Sequence, residues 1–321
     1  MYDEAAVLPL MRKRLEAVLQ SLDIAAEVIL VDDGSSDESA ELMREFAKAD
    51  RRYKAIILSR NYGHQIALTA GLDLASGDAV VVLDADLQDP PELIPKMLAN
   101  WRAGYQVVYG VRTVRHGETA LKKLTARLFY SLIVHLSGVQ IPRHTGDFRL
   151  MDRKVADALR RMPEQKRFLR GMVSWAGFRS CPLPFERPPR AAGVTKYPWR
   201  KMFQFALDAI FSFSIIPLRV STYLGLAATA LAVFLILRAL YMRFIENATM
   251  PGFAALYVAI WLLGGLNLFF MGILGEYIGR IYLEVKRRPL YLVQEYVSNT
   301  EGERDVQPEK LDAYCARSSA S

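Results

Sequence analysis

Through the first 112 residues, short runs rich in Val and Ile alternate with segments whose apolar positions recur at helical spacing. The runs predict strands at residues 27–33 (EVILVDD), 53–59 (YKAIILS), 78–86 (DAVVVLDAD) and 106–112 (QVVYGVR). The intervening segments predict helices at 9–21, 36–49, 63–75 and 91–103, the second with Ser35 or Ser36 as N-cap and acids in its first turn. Strands alternating with helices in this way predict an α/β domain with a mostly parallel sheet.

The pattern changes near Tyr197. Beyond it lie two long apolar stretches, 220–237 and 248–275, with no charged residue inside either. At 1.5 Å per residue the shorter one extends roughly 27 Å, close to a hydrocarbon core of about 30 Å. The chain therefore divides into a domain at 1–197, an interfacial amphipathic helix at 198–216, transmembrane helices at 217–243 and 251–278, and a tail at 279–321. The interfacial assignment rests on aromatic and aliphatic positions mixed with basic residues at one end. After about Val297 the tail is polar and reads as partly disordered.

Charge refines this division. The formal net charge is +7, and the basic residues have a destination beside a membrane. Arg190, Lys196, Arg200, Lys201 and Arg219 precede the first apolar stretch, and Arg280, Lys286, Arg287 and Arg288 follow the second. The connection from Tyr241 to Met250 carries only Arg243 and Glu246, so both flanks are expected on the cytoplasmic side, in contact with membrane lipids. Nothing in the chain matches a nucleic-acid recognition motif. Cys181 and Cys315 are too few for a disulfide framework and wrongly spaced for zinc, and no signal-peptide pattern opens the chain.

In an open α/β sheet, ligands bind beyond the carboxyl ends of the strands. Three predicted strands end there in charged residues: Asp32 and Asp33, then Asp84 and Asp86 flanking Ala85 and followed by Gln88, then Arg112. Two carboxylates two apart, with an amide oxygen two further on, are hard oxygen donors suited to Mg2+ or Mn2+ and leave room for phosphate oxygens. An isolated Asp-x-Asp is weak evidence. It gains force from the neighbouring Asp-Asp-Gly-Ser strand end.

The segments VDDGSSDES, SRNYGHQIALTAGLDLASGD, DADLQDPPE, TGDFRL and RAAGVTKY occur here in a fixed order. With them the chain resembles the family 2 inverting glycosyltransferases of the dolichol-phosphate mannose synthase type, nearest the bacterial polyprenyl-phosphate glycosyltransferases with two C-terminal membrane helices. The resemblance runs from Met1 to about Val293. It implies a GT-A fold and transfer of a hexose or related sugar, from a UDP-linked donor by preference, to a polyprenyl phosphate such as undecaprenyl phosphate. It further implies a bacterial inner membrane location, a catalytic domain in the cytoplasm and self-association as far as a tetramer.

Carried over position by position, the resemblance sets Tyr2 and Glu4 against the nucleotide, with Asp3 where Asn is usual. Asp33 would hold the base or ribose, with Asp32 beside it, and Asp84 and Ala85 would line the nucleotide. Asp86 and Gln88 would hold the metal, Arg112 would approach the diphosphate, Asp147 would sit beside the reacting centre, and Arg190 and Lys196 would meet phosphate near the membrane. His64 could face the donor or serve in packing. A polyprenyl phosphate oxygen is already nucleophilic near neutral pH, so no strong general base is needed and Asp147 is expected to orient an Arg. Relatives begin with an apolar strand that here would precede Tyr2. Its lack predicts either a longer natural chain or a sheet closed up without it. Two rivals remain: a processive polysaccharide synthase, for which Gln-x-x-Arg-Trp and further spans are missing, and a non-catalytic membrane scaffold.

Overall fold

The computed structural model describes residues 1–113, 145–186, 216–245 and 252–299. Arg190, Lys196, His116, His144, almost all of the proposed interfacial helix and residues 300–321 lie outside them. The described chain forms two compact units, one from the residues up to 186 joined by those from Arg288 onward, the other from residues 216–287.

The first unit runs α1 (Leu8–Gln20), β1 (Val28–Asp32), α2 (Ser39–Ala49), β2 (Tyr53–Leu58), α3 (His64–Leu74) and β3 (Ala79–Val82). A 3-10 turn (Pro91–Leu93), α4 (Ile94–Arg102) and β4 (Val107–Arg112) follow, then β5 (Thr145–Asp152), α5 (Arg153–Arg160), α6 (Leu169–Trp175) and β6 (Ser180–Phe185). After the second unit the chain adds β7 (Val293–Ser298).

The strands form two sheets, ordered β1-β2-β7 and β3-β5-β4-β6. The α/β class stands, but the sheets are mixed instead of mostly parallel: β1 with β2 and β4 with β6 are parallel, whereas β7 and β5 run antiparallel to their neighbours. Burial follows position. β2 and β5, flanked on both edges, are buried nearly end to end. α1 covers the first sheet's core with Leu8, Met11, Leu15 and Val18, a helical stripe. α2 adds Met43, Phe46 and Ala47. Burying each of the larger side chains contributes about 1.5 to 3 kcal/mol.

Within the segment assigned to the tail, β7 pairs with β2 from Lys54↔Ser298 to Leu58↔Val293. Leu292 O accepts from Ser59 N at 3.0 Å, and Glu295 pairs with Arg44 at 3.0 Å. A segment of alternating Val and polar residues after a long apolar helix looks like tail; only the open edge of β2 makes it a strand. Contrary to expectation, the N-cap of α2 is Glu38, and neither Ser35 nor Ser36 caps it: the Ser35 hydroxyl bonds to Asp32 at the end of β1 and the Ser36 hydroxyl to Asp3 near the N-terminus. Strand β3 ends at Val82, so Asp84 and Asp86 stand on a loop beyond the ladder.

Met1 lies beside β1 on the edge away from β2: its amino group donates to Val31 O at 2.6 Å and its carbonyl accepts from Asp33 N at 2.8 Å. The sheet has not closed across the gap, for β1 and β3 belong to different sheets.

The second unit contains α7 (Ile216–Phe244) and α8 (Phe253–Lys286). Each includes a stretch long and apolar enough to cross a membrane, Ile216–Leu235 and Ala259–Lys286, and neither is buried by protein. α8 runs past the 278 boundary expected from hydropathy.

Candidate active site

The Asp-Asp-Gly-Ser strand end is built from backbone hydrogen bonds. Asp33, 3% exposed, accepts from Tyr62 N at 2.7 Å and from Gly63 N at 3.0 Å, so its carboxylate pins the loop that enters α3. Asp32, 1% exposed, accepts from the hydroxyl and the backbone N–H of Ser35. Gly34 has φ of +69°, and a Cβ there would stand 2.5 Å from the backbone of Arg60. Only glycine allows that crossing. Residues 3–5 are laced to the same loop: Asp3 N donates to Ser35 Oγ, Glu4 N to Ser39 Oγ and Ala5 N to Asp37 Oδ2, each at 3.0 Å. Tyr2 beside them is exposed. The structure thus sets Tyr2 and Glu4 beside the loop that follows Asp32 and Asp33, and Asp33's oxygens are already occupied by the protein.

Beyond β3, the loop turns through Leu87, whose φ is +58°, and Asp86 Oδ1 accepts from Gln88 N at 3.1 Å. Ala85 packs half-buried against the core, and Gln88 is buried. Burial raises the pKa of Asp84; His64 pulls it back, and the charges of Asp147 and Asp86 push it up again. Asp89, 1% exposed, rises to about 7, through burial first and the charge of Asp84 second, with Arg112 opposing. Both Asp89 oxygens and Arg112 Nε are buried without a hydrogen-bond partner among the described residues, and Arg112 Nη2 stands 3.9 Å from Asp89 Oδ1.

Asp147 is the hub of the second half. It lies on β5 and is 2% exposed. Arg170 donates to its two oxygens at 2.9 and 2.7 Å, His64 Nε2 lies 3.1 Å from Oδ2, and Gln65 Nε2 donates at 3.3 Å. Burial works against this carboxylate, but the hydrogen bonds from His64 and Arg170, with the charges of Arg170 and Arg149, hold its pKa well below the usual range. Arg149, buried beside it, is pushed down to about 10 by burial, against the pull of Asp147. His64 Nε2 also lies 3.6 Å from Asp84 Oδ1, joining the β3 loop to β5. Burial lowers its pKa, but Asp147 and Asp84 outweigh that and leave it raised.

Arg170, Gln65 and the dual contact of His64 are missing from the sequence reading. Arg170 follows Asp147 by 23 positions on a short helix, with no motif to mark it. His64 carried a signal in its place at the start of a helix beside an acid-rich face.

Among the described residues, no group of three or more His, Cys, Asp or Glu is arranged as a protein-only metal cage. The donor set nonetheless fits Mg2+ or Mn2+. Asp84 and Asp86 bring two carboxylates to one loop, and beside them both oxygens of the buried Asp89 have no hydrogen-bond partner among the described residues. Such ions often take one or two carboxylates and complete their shell with substrate phosphates and water.

A model of glycosyl transferase family 2 matches residues 1–160. A glycosyltransferase of Synechocystis sp., named only as uncharacterized, is 48% identical over 92% of this chain and 93% of its own. The SfII prophage-derived bactoprenol glucosyl transferase of Shigella flexneri is 37% identical over 92% of this chain and 95% of its own. Among solved structures, mannosyl-3-phosphoglycerate synthase from Rubrobacter xylanophilus is similar over 65% of this chain and 69% of that one, at 16% identity and a TM-score of 0.44. The chain belongs to glycosyl transferase family 2 and is a glycosyltransferase.

Proposed function

We propose that the protein transfers a hexose or related sugar, with inversion, from a nucleotide sugar, UDP-linked by preference, to a polyprenyl phosphate at the cytoplasmic face of a bacterial inner membrane. One observation carries this reading. The same chain couples an acidic strand-end site to two apolar helices, and its likeness to a bactoprenol glucosyl transferase extends over both. An acceptor that cannot leave the bilayer requires its enzyme at the bilayer surface. The chain also returns to its first unit after the apolar hairpin, so an even number of crossings leaves both ends on one side.

Tyr2, Glu4, Asp32 and Ala85 line the nucleotide side, Asp33 sets the loop between β2 and α3, and Arg112 approaches the diphosphate. Arg190 and Lys196 are assigned to the acceptor's phosphate. Asp84, Asp86 and Gln88 would hold Mg2+ or Mn2+, which neutralises charge on a departing diphosphate when bound. Asp147 takes no proton: its strongly depressed pKa makes it a poor base, and its oxygens are spent on Arg170 and His64. It fixes the Arg170 guanidinium and the His64 ring beside Asp84. The acceptor phosphate is itself anionic near neutral pH, so catalysis rests on bringing two anions into line and offsetting their repulsion.

Membranes containing the protein, incubated with a panel of nucleotide sugars, yield one glycolipid whose mass is polyprenyl phosphate plus one hexosyl residue, a hexose less water. Label appearing only in soluble saccharide or polymer would overturn the proposal.

A further inference from the structure

Gly146, in the middle of TGDFRL, has no conformational need to be glycine. Its φ lies outside the left-handed region, although it sits where the pairing of β5 with β4 shifts register, between Tyr109↔Arg149 and Val111↔Thr145. A Cβ at this position would nevertheless stand 2.7 Å from Arg112 Nη2 and 3.5 Å from its Cζ, and the next nearest atom is Phe148 N at 3.8 Å, an ordinary contact. The space that a side chain would take is therefore filled by one object, the guanidinium of Arg112.

On another side of that guanidinium stands Asp89, 1% exposed, with its Oδ1 3.9 Å from Nη2. This distance is that of an ion pair and is too long for a hydrogen bond. Arg112 itself is only 16% exposed along its side chain. Its reach is thus bounded by a missing side chain and by a buried carboxylate, both supplied by the motifs on either side of it.

We propose that Gly146 and Asp89 are positioning residues for Arg112: the absent Cβ gives the guanidinium its place, and the buried carboxylate holds it there. The inference rests on the reading that Arg112 meets the diphosphate of the donor. It adds a reason for the glycine in TGDFRL and for the last acid in DADLQD. Because the atom that an alanine would strike is the far end of a flexible side chain, Gly146→Ala moves Arg112 and leaves the strand in place. A misplacement of about 1 Å in a positioning group can cost up to about 100-fold.

The test is a double-mutant cycle on the full-length protein in detergent, reading UDP affinity with Mn2+ by calorimetry, KM for the nucleotide sugar and thermal midpoint. Gly146→Ala weakens UDP and raises KM about tenfold or more, with little change in midpoint. Arg112→Lys, whose shorter head group does not fill the space, weakens binding by itself. Adding Gly146→Ala in that background changes nothing further. Asp89→Asn weakens UDP in the native background and not beside Arg112→Lys. Should Gly146→Ala unfold the protein, an alanine tolerated only beside Arg112→Lys reports the same coupling. Equal losses from Gly146→Ala in both backgrounds overturn the inference while leaving Arg112 at the diphosphate. Unchanged UDP affinity in Arg112→Lys overturns both the inference and the role given to Arg112.

Discussion

The oxygens of Asp147 accept two hydrogen bonds from Arg170 and lie within reach of His64 and Gln65, and Arg149 is buried alongside. Removing the charge strands those cations. Breaking a buried pair by deleting one partner costs about 3 to 5 kcal/mol. Asp147→Asn is therefore expected to lower the thermal midpoint sharply at pH 7. The pH dependence follows from the depressed pKa: the carboxylate contributes fully above the unfolded range near 4, and its contribution fades as pH falls below that. The gap between wild type and variant narrows in acid, and equal midpoints at pH 7 would refute the hub. Asp86→Asn differs in kind. Asp86 stands on a half-buried loop, so the substitution removes most transfer and leaves the midpoint nearly unchanged; wild-type rates at limiting Mn2+ would contradict its assignment to the metal. Gly34→Ala is expected to destabilise by about 1 to 3 kcal/mol, because a Cβ meets the Arg60 backbone at 2.5 Å and φ is +69°. A midpoint equal to wild type would show that the loop relaxes freely.

At the scale of elements, β7 determines whether β2 is a central strand or an edge. Truncating the chain before Tyr291 uncovers the β2 ladder and the face that Tyr291 and Val293 cover with Ile56 and Leu58. The truncated protein is expected to aggregate on extraction; a monodisperse product with an unchanged midpoint would mean that β7 is dispensable. The first four strands and four helices were legible in the sequence to within a few residues, because each has a local period and an uninterrupted apolar set. β5, β6 and β7 were not. β5 carries Asp147 and Arg149 in a buried strand, which a pattern of polar and apolar positions reads as surface, and β6 has two prolines. The candidate site divides the same way. Acids at strand ends are visible by spacing, whereas Arg170 and Gln65 join Asp147 only through tertiary folding, and the role of Gly146 appears only when Arg112 is seen beside it.

For the whole molecule, the two units perform different work. The first carries the acids and the cations that meet at Asp84, Asp147 and Arg112, and the second offers helices whose apolar surface protein does not cover. On the proposed function that surface meets lipid, and an acceptor with a polyprenyl tail would share the same phase. The central claim is the identity of this acceptor. The most direct test incubates purified protein with UDP-glucose and Mn2+ in detergent, with and without undecaprenyl phosphate, and weighs the extracted lipid. The account predicts a hexosyl undecaprenyl phosphate formed only when protein, nucleotide sugar and lipid phosphate are all present. Release of free glucose alone, or unchanged undecaprenyl phosphate across the whole panel of nucleotide sugars, would contradict it.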